Sequence, residues 1–212
     1  MRTGCSGCFG VIISAGLMSL LVGGAVVGVT RMLEAPDLSP TTATPADGTR
    51  AQQKLFDVAR GARRGNTVTL SEAEVNALLT RHLVQARGVR LAAPNARLIG
   101  DDRFVLNAQS PVRRLLEEVS LGALAEILPA RWQDRQIWVH VGGRVRMADG
   151  RRRQLRTDVD EFAVGRQPLP AWLLRLLLDP ASVGLLEWPL PDHVERVAIE
   201  PGRVVIRTAL PR

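Results

Sequence analysis

The sequence predicts an α+β protein, with one N-terminal transmembrane helix followed by a domain of antiparallel β-hairpins packed along helices. Three observations predict it. Phe9 to Val29 is a run of 21 residues without a charge, and about 20 apolar residues carry a helix across the hydrocarbon core. Ile137 to Met147 alternates, with Ile137, Val139, Val141, Val145 and Met147 on one side and Trp138, His140, Arg144 and Arg146 on the other, which is the period of a half-buried strand. Elsewhere, apolar residues recur at helical spacing, as from Ser71 to Leu83 and from Val112 to Leu128.

The apolar run is longer than the roughly 7–15 residues of a signal peptide. Its best cleavage site follows Gly28 with Val26 at minus three and is poor; Ala35 precedes a proline, and Cys5 and Cys8 lie before the run, where they make no lipobox. An uncleaved anchor is expected. Arg2 precedes the run, while Arg31 after it is followed by Glu34 and Asp37, so the positive-inside rule weakly favours a cytoplasmic leading tail. The expected organisation is a short cytoplasmic tail over 1–8, a transmembrane helix over 9–30, a tether over 31–49 rich in Pro, Thr and Ala, and an extracytoplasmic domain over 50–212, at the inner (cytoplasmic) membrane. Within the span, Gly24 and Gly28 are four apart, a spacing that admits weak self-association of two helices. The C-x-x-C of Cys5 and Cys8 lacks the second pair of a zinc site and sits on a short tail, not on a redox scaffold.

Charge narrows the partners. The chain holds 28 Lys+Arg against 21 Asp+Glu, and Lys54 is its single lysine. An arginine-rich surface is drawn to anionic lipid head groups. Nucleic acid is excluded as the expected partner, because the domain lies outside the cytoplasm and aromatic residues for base stacking are only 4% of the chain.

After the tether, Leu55, Val58 and Ala62 predict a helix over 50–63. Thr67 to Leu70 is extended. Ser71 with Glu74 three residues on forms a capping box for a helix whose stripe is Val75, Leu78, Leu79, His82 and Leu83. Gly88 ends it. Two strand pieces, 89–93 and 96–99, lead into a Gly100-Asp101-Asp102 turn and a strand from Arg103 to Asn107. One helix is expected from Val112 to Leu128, stopped by Pro129. The alternating strand then turns at Ala148-Asp149-Gly150 and returns from Arg151 to Val164, losing phase near Asp160-Glu161 as a bulge would. Asp158, Asp160 and Glu161 are expected to face Arg144, Arg146 and Arg156 across that hairpin, in preference to a metal. Pro170 to Leu178 is a short apolar helix, 185–191 a proline-rich loop, and Val194–Glu200 with Arg203–Ala209 a closing hairpin around Pro201-Gly202.

No catalytic signature is present: no G-x-S-x-G, no phosphate-binding glycine loop and no H-E-x-x-H. His82, His140 and His193 are scattered, and no cofactor or metal is expected. Glu117 and Glu118 read as a solvated helix face.

Three stretches carry a family likeness: TLSEAEVNALL over 69–79, VGRQPLPAWLL over 164–174, and LPDHVERVAIEPGRVVI over 190–206. In this order they resemble the YpmS-like bacterial single-pass membrane proteins and, more distantly, the LmeA-like phospholipid-binding proteins and the tubular lipid-binding (TULIP) superfamily. The resemblance covers roughly 67–209 and contains no catalytic motif. The many arginines and the helix at 112–128 depart from it. It implies a curled antiparallel sheet wrapped along helices, with an apolar groove for acyl chains. Groove candidates are then Ile137, Val139, Val141, Val145, Leu155, Val159, Trp172, Leu173 and Leu176, with Arg144, Arg146 and Arg156 as the rim for an anionic head group. Each lipid methylene moved from water into such a groove contributes about 0.8 kcal/mol. The expected function is non-enzymatic binding of membrane lipid or another amphiphile. The alternatives are a solid-cored scaffold that contacts envelope proteins, and an envelope hydrolase with its acids around Asp158 and Asp160.

Overall fold

A computed structural model of the chain describes residues 27–36, 41–61, 66–85, 91–118, 122–148, 153–177 and 187–209. These form a mixed α and β structure of two antiparallel sheets and several helices. Most of the expected membrane span, 9–26, lies outside the described residues, as do Gly24, Cys5 and Cys8. Residues 27–33 are helical (α1). Among the described residues no helix is long and apolar enough to cross a membrane.

Helix α2 runs Pro45–Ala59 and so begins inside the expected tether. The residues that read as tether are its start signal. The Thr44 hydroxyl donates to Asp47 Oδ2 at 2.6 Å and the Thr44 N–H to the same oxygen at 2.9 Å, with proline in the first turn. The Thr44 hydroxyl, its N–H and the Arg50 guanidinium together lower the Asp47 carboxyl to a pKa of about 2.

Strand β1 (Thr67–Ser71) passes into α3 (Glu72–Gln85) through the predicted box: Ser71 N–H donates to Glu74 Oε2 at 2.9 Å, and Glu74 N–H to Ser71 Oγ at 3.2 Å. Glu74 is buried. Its two carboxylate oxygens each take Lys54 Nζ at 2.8 Å, and the same ammonium donates to Thr69 C=O at 2.8 Å, tying α2 to β1 and α3. Burial pushes the Glu74 carboxyl up. Lys54 and the Ser71 N–H outweigh it, so the group sits below the ordinary carboxylate range.

The small sheet has the order β1-β9-β8, with the predicted closing hairpin as β8 (Val194–Glu200) and β9 (Arg203–Thr208). Ala51 and Val58 of α2 close over Val68, Leu70, Val194 and Ile206, none more than 8% exposed, and Val75 and Leu78 of α3 pack beside them.

The large sheet has the order β2-β3-β4-β5-β6, from β2 (Ala92–Gly100), β3 (Arg103–Pro111), β4 (Gln136–Ala148), β5 (Gln154–Val164) and β6 (Gln167–Leu169). Strand β7 (Glu187–Pro189) pairs with the far end of β5. Several expectations are corrected here. The described part of the two strand pieces is one strand, irregular between Ala92 and Asn95, where Ala93 takes a φ of 46°. The single helix over 112–128 is replaced by α4 (Val112–Glu118) and α5 (Gly122–Ile127), which pack on each other. Residues 119–121, between the two helices, lie outside the described residues. Pro129 does more than stop a helix, since it N-caps α6 (Ala130–Gln133). The proline-rich loop contains β7, too short to show a period. The apolar helix is α7 (Ala171–Leu177), packed on β5.

The sheets meet at a corner. Gly100, Asp101 and Asp102 turn with φ of 106°, 52° and 60°, which brings Asp102 to the free edge of β8. Asp102 N–H donates to Ile199 C=O at 3.1 Å, Ile199 N–H to Asp102 Oδ1 at 2.9 Å, and Val145 N–H to Asp102 C=O at 2.8 Å. The outer edge of β2 is closed from α3. Buried Asn76 accepts from Ala96 N–H at 2.6 Å and donates to its C=O at 2.9 Å, while Glu72 accepts from Leu98 N–H at 2.8 Å. An open strand edge is a template for unwanted pairing, and here side chains take the place of a neighbouring strand.

Candidate functional site

Residues directly opposite in an antiparallel ladder project from the same face, so register sorts the large sheet into two faces. Ala108 pairs with Val139, which pairs with Val164; Leu106 pairs with Val141, which pairs with Phe162. Beyond the bulge, Gly143 pairs with Val159, Val145 with Thr157 and Met147 with Leu155. Six of the predicted residues, Ile137, Val139, Val141, Val145, Leu155 and Val159, therefore share one face. Ile137, Ala108 and Phe162 are buried, while Val139, Val141, Val145, Leu155 and Val159 stay half-buried. Phe104 and Leu106 of β3 belong to the same face and are also half-buried. Their alternation was readable, but the hairpin of β4 and β5 drew the candidate set away from β3.

Of the α7 candidates, Leu173 is half-buried and Trp172 is 61% exposed. Among the α7 residues whose side chains are described, the buried one is Leu174, one position on from Leu173. The Leu176 side chain lies outside what is described.

The bulge falls where the phase loss predicted it. Gly142 pairs with Glu161 and Gly143 with Val159, which leaves Asp160 as the extra residue. The glycine pair is required by close approach: a Cβ on Gly143 would sit 2.6 Å from the Asp158 carbonyl, and one on Gly142 would sit 2.9 Å from the Glu161 Cβ.

The other face is basic. Arg103 pairs with Arg144, Arg144 with Asp158, and Arg146 with Arg156. The three predicted rim arginines thus project from the face opposite the apolar set, because strand alternation puts even and odd positions of β4 on opposite sides. The acids meet arginines, though not all the expected ones. Asp158 lies 3.4 Å from Arg146 and 3.7 Å from Arg156, whereas Asp160 and Glu161 turn to Arg103 of β3, at 3.5 and 2.6 Å. Sequence reading confined the partners to the hairpin, and the third strand supplies the one it missed. Glu161 also lies 3.8 Å from His140 Nε2, and His140 Nδ1 is 2.8 Å from the buried Asn107 carboxamide oxygen. Among the described residues no group of three His, Cys, Asp or Glu is placed to hold a metal ion.

Two surface depressions lie away from the apolar face. One, of about 650 Å³, lies over α2 and α3 and is lined mainly by Leu55, Phe56, Ala59 and Leu78 with Gln52 and Gln53. The other, of about 310 Å³, lies between the Asp101-Asp102 turn and β8 and β9, beside Arg196 and Arg207. No family model matches the chain, and no curated protein matches it.

Proposed function

We propose that this protein is a single-pass inner-membrane protein, with its leading tail in the cytoplasm, whose extracytoplasmic domain binds a lipid or another amphiphile against the apolar face of the large sheet, without catalysis. One observation carries the reading: Val139, Val141, Val145, Leu155 and Val159 share a face and remain half-buried. A sheet face of this kind is stabilised by further apolar cover, and an acyl chain supplies it. The finer architecture in this reading is a curled sheet wrapped along helices behind a transmembrane anchor, as in the YpmS-like and LmeA-like proteins it resembles. The pairing of Asp158, Asp160 and Glu161 with arginines favours a binding role over a hydrolytic one. Because Arg144, Arg146 and Arg156 turn to the other face, an anionic head group in this reading lies at the end of the hairpin, not along a basic rim.

The test is native mass spectrometry of the full chain, released from a mild detergent micelle. The expected spectrum carries retained phospholipid, which disappears in Val141→Asp or Val145→Asp. A bare mass that takes up no lipid on titration sinks the reading.

A second reading, a scaffold for envelope proteins, is favoured by a different observation. Leu55 and Phe56 stay exposed on α2 beside Leu78, rimming the apolar depression, and exposed apolar patches mark docking sites. Site-specific photo-crosslinking from position 56 in cells tests it: a discrete protein adduct supports the scaffold, and its absence removes it.

A further inference from the structure

We infer that the edge of the large sheet beyond β5, where β6 and β7 pair with its two ends, lies against the bilayer surface, with Trp172 and Trp188 seated among the lipid head groups. The inference rests on the anchored reading above and adds to it which side of the domain faces the membrane.

Three exposed apolar features converge on β5. The first is α1, at the end of the apolar run, where Val27 is 52% and Val29 47% exposed. This helix meets the domain at the β5–β6 turn. Arg166 N–H donates to Arg31 C=O at 2.8 Å, and the backbone of Gly165 is so close that a Cβ there would lie 2.4 Å from the Met32 carbonyl. Glu34 adds an ion pair to Arg166 at 3.9 Å. The second feature is Trp172, 61% exposed on α7, which packs on β5. The third is Trp188, 58% exposed on β7, opposite Leu155 at the other end of β5.

At about 3.3 Å per residue, the stretch from Leu155 to the β5–β6 turn spans roughly 30 Å. Apolar contacts at both ends and between them suit an edge that lies along a surface. Tryptophan is the side chain suited to that layer, since its ring is apolar and its N–H finds partners among the head groups. Arg31, exposed at the junction, suits an anionic leaflet. The point where α1 joins the fold fixes the same side of the domain toward the membrane. The remaining tryptophans, Trp132 and Trp138, are half-buried and serve as an internal control.

The experiment reconstitutes the full chain into phosphatidylethanolamine–phosphatidylglycerol vesicles in which part of the lipid is brominated near the head group, and reads tryptophan emission. The expected result is strong quenching that scales with the brominated fraction. It is kept by a variant with Trp132→Phe and Trp138→Phe, and lost with Trp172→Phe and Trp188→Phe. Aqueous iodide on the unmodified chain is the second measurement, and it is expected to reach these tryptophans poorly in vesicles. Protein that floats with the vesicles yet shows unquenched, iodide-accessible Trp172 and Trp188 overturns the docking. So does quenching that survives exchange of the bulk lipid for unbrominated lipid, which assigns it to a retained molecule. Failure to float at all overturns the anchored reading instead.

Discussion

In the small sheet, Val68, Leu70, Val194 and Ile206 lie under α2 and are at most 8% exposed. On the large sheet, Val139, Val141, Val145 and Val159 occupy equally regular positions and remain half-buried. The residue types and the periodicity are the same, so alternation specifies which side of a strand is apolar but not how completely it is covered. Cover depends on what packs above: a 15-residue helix with a capping box and the Lys54–Glu74 ion pair over one sheet, and the seven-residue α7 beside the other.

The largest effect expected from this contrast is in the small sheet. Ile206→Ala should cost about 2–5 kcal/mol, the range for emptying a closed core, whereas Val141→Ala should cost less than about 1 kcal/mol because its methyls are already partly in water. Urea unfolding of both variants measures the difference, and equal costs would mean that the large face is as closed as the small one. Next comes the join between them. Asn76→Ala leaves the buried N–H and C=O of Ala96 without partners and should cost about 1–3 kcal/mol, seen also as faster hydrogen exchange at β2.

Acid should loosen the small-sheet side first. The Asp47 and Glu74 carboxyls are lowered in the folded protein, so the unfolded chain takes up more protons as the pH falls. The stability they add is complete above their ordinary range. For Asp47 it is lost as the pH drops from about 3.8 toward about 2. Far-UV circular dichroism across that window should show helix signal lost early, and Asp47→Asn should flatten the response. The smallest effect belongs to the basic face. Asp158→Asn with Asp160→Asn removes exposed ion pairs and should change stability by less than about 1 kcal/mol, with lipid retention intact; loss of a hydrolytic phenotype in that variant would instead support an enzyme.

Much of this was legible where the signal is local. The Ser71–Glu74 box, the turn at Gly100-Asp101-Asp102, the Pro201-Gly202 hairpin and the bulge at Asp160 each depend on residues a few positions apart. What was hidden depends on company. Thr44 and Asp47 form a capping box as complete as that of Ser71, but in a stretch of Pro, Thr and Ala it passed for tether. The apolar stripe over 112–128 runs on unbroken in sequence where α4 and α5 are separate helices. Leu174 is buried and Trp172 exposed, a phase that a seven-residue helix has too few turns to reveal in sequence. Arg103 as the partner of Glu161 required the third strand to be placed. The division of the strands into two sheets, joined through Asp102, leaves no mark in any window of the chain.

The contact of α1 with Gly165 changes what the stretch after it can do. Thr41 is itself fastened, its hydroxyl donating to Glu72, so the chain is held at Glu34 and again at Thr41. The described residues on both sides of 37–40 are thus each fastened to the fold. In an anchored protein of this form the working radius is set by the width of the fold. Under the anchored reading proposed above, the ligands expected to reach it are those that diffuse within the leaflet.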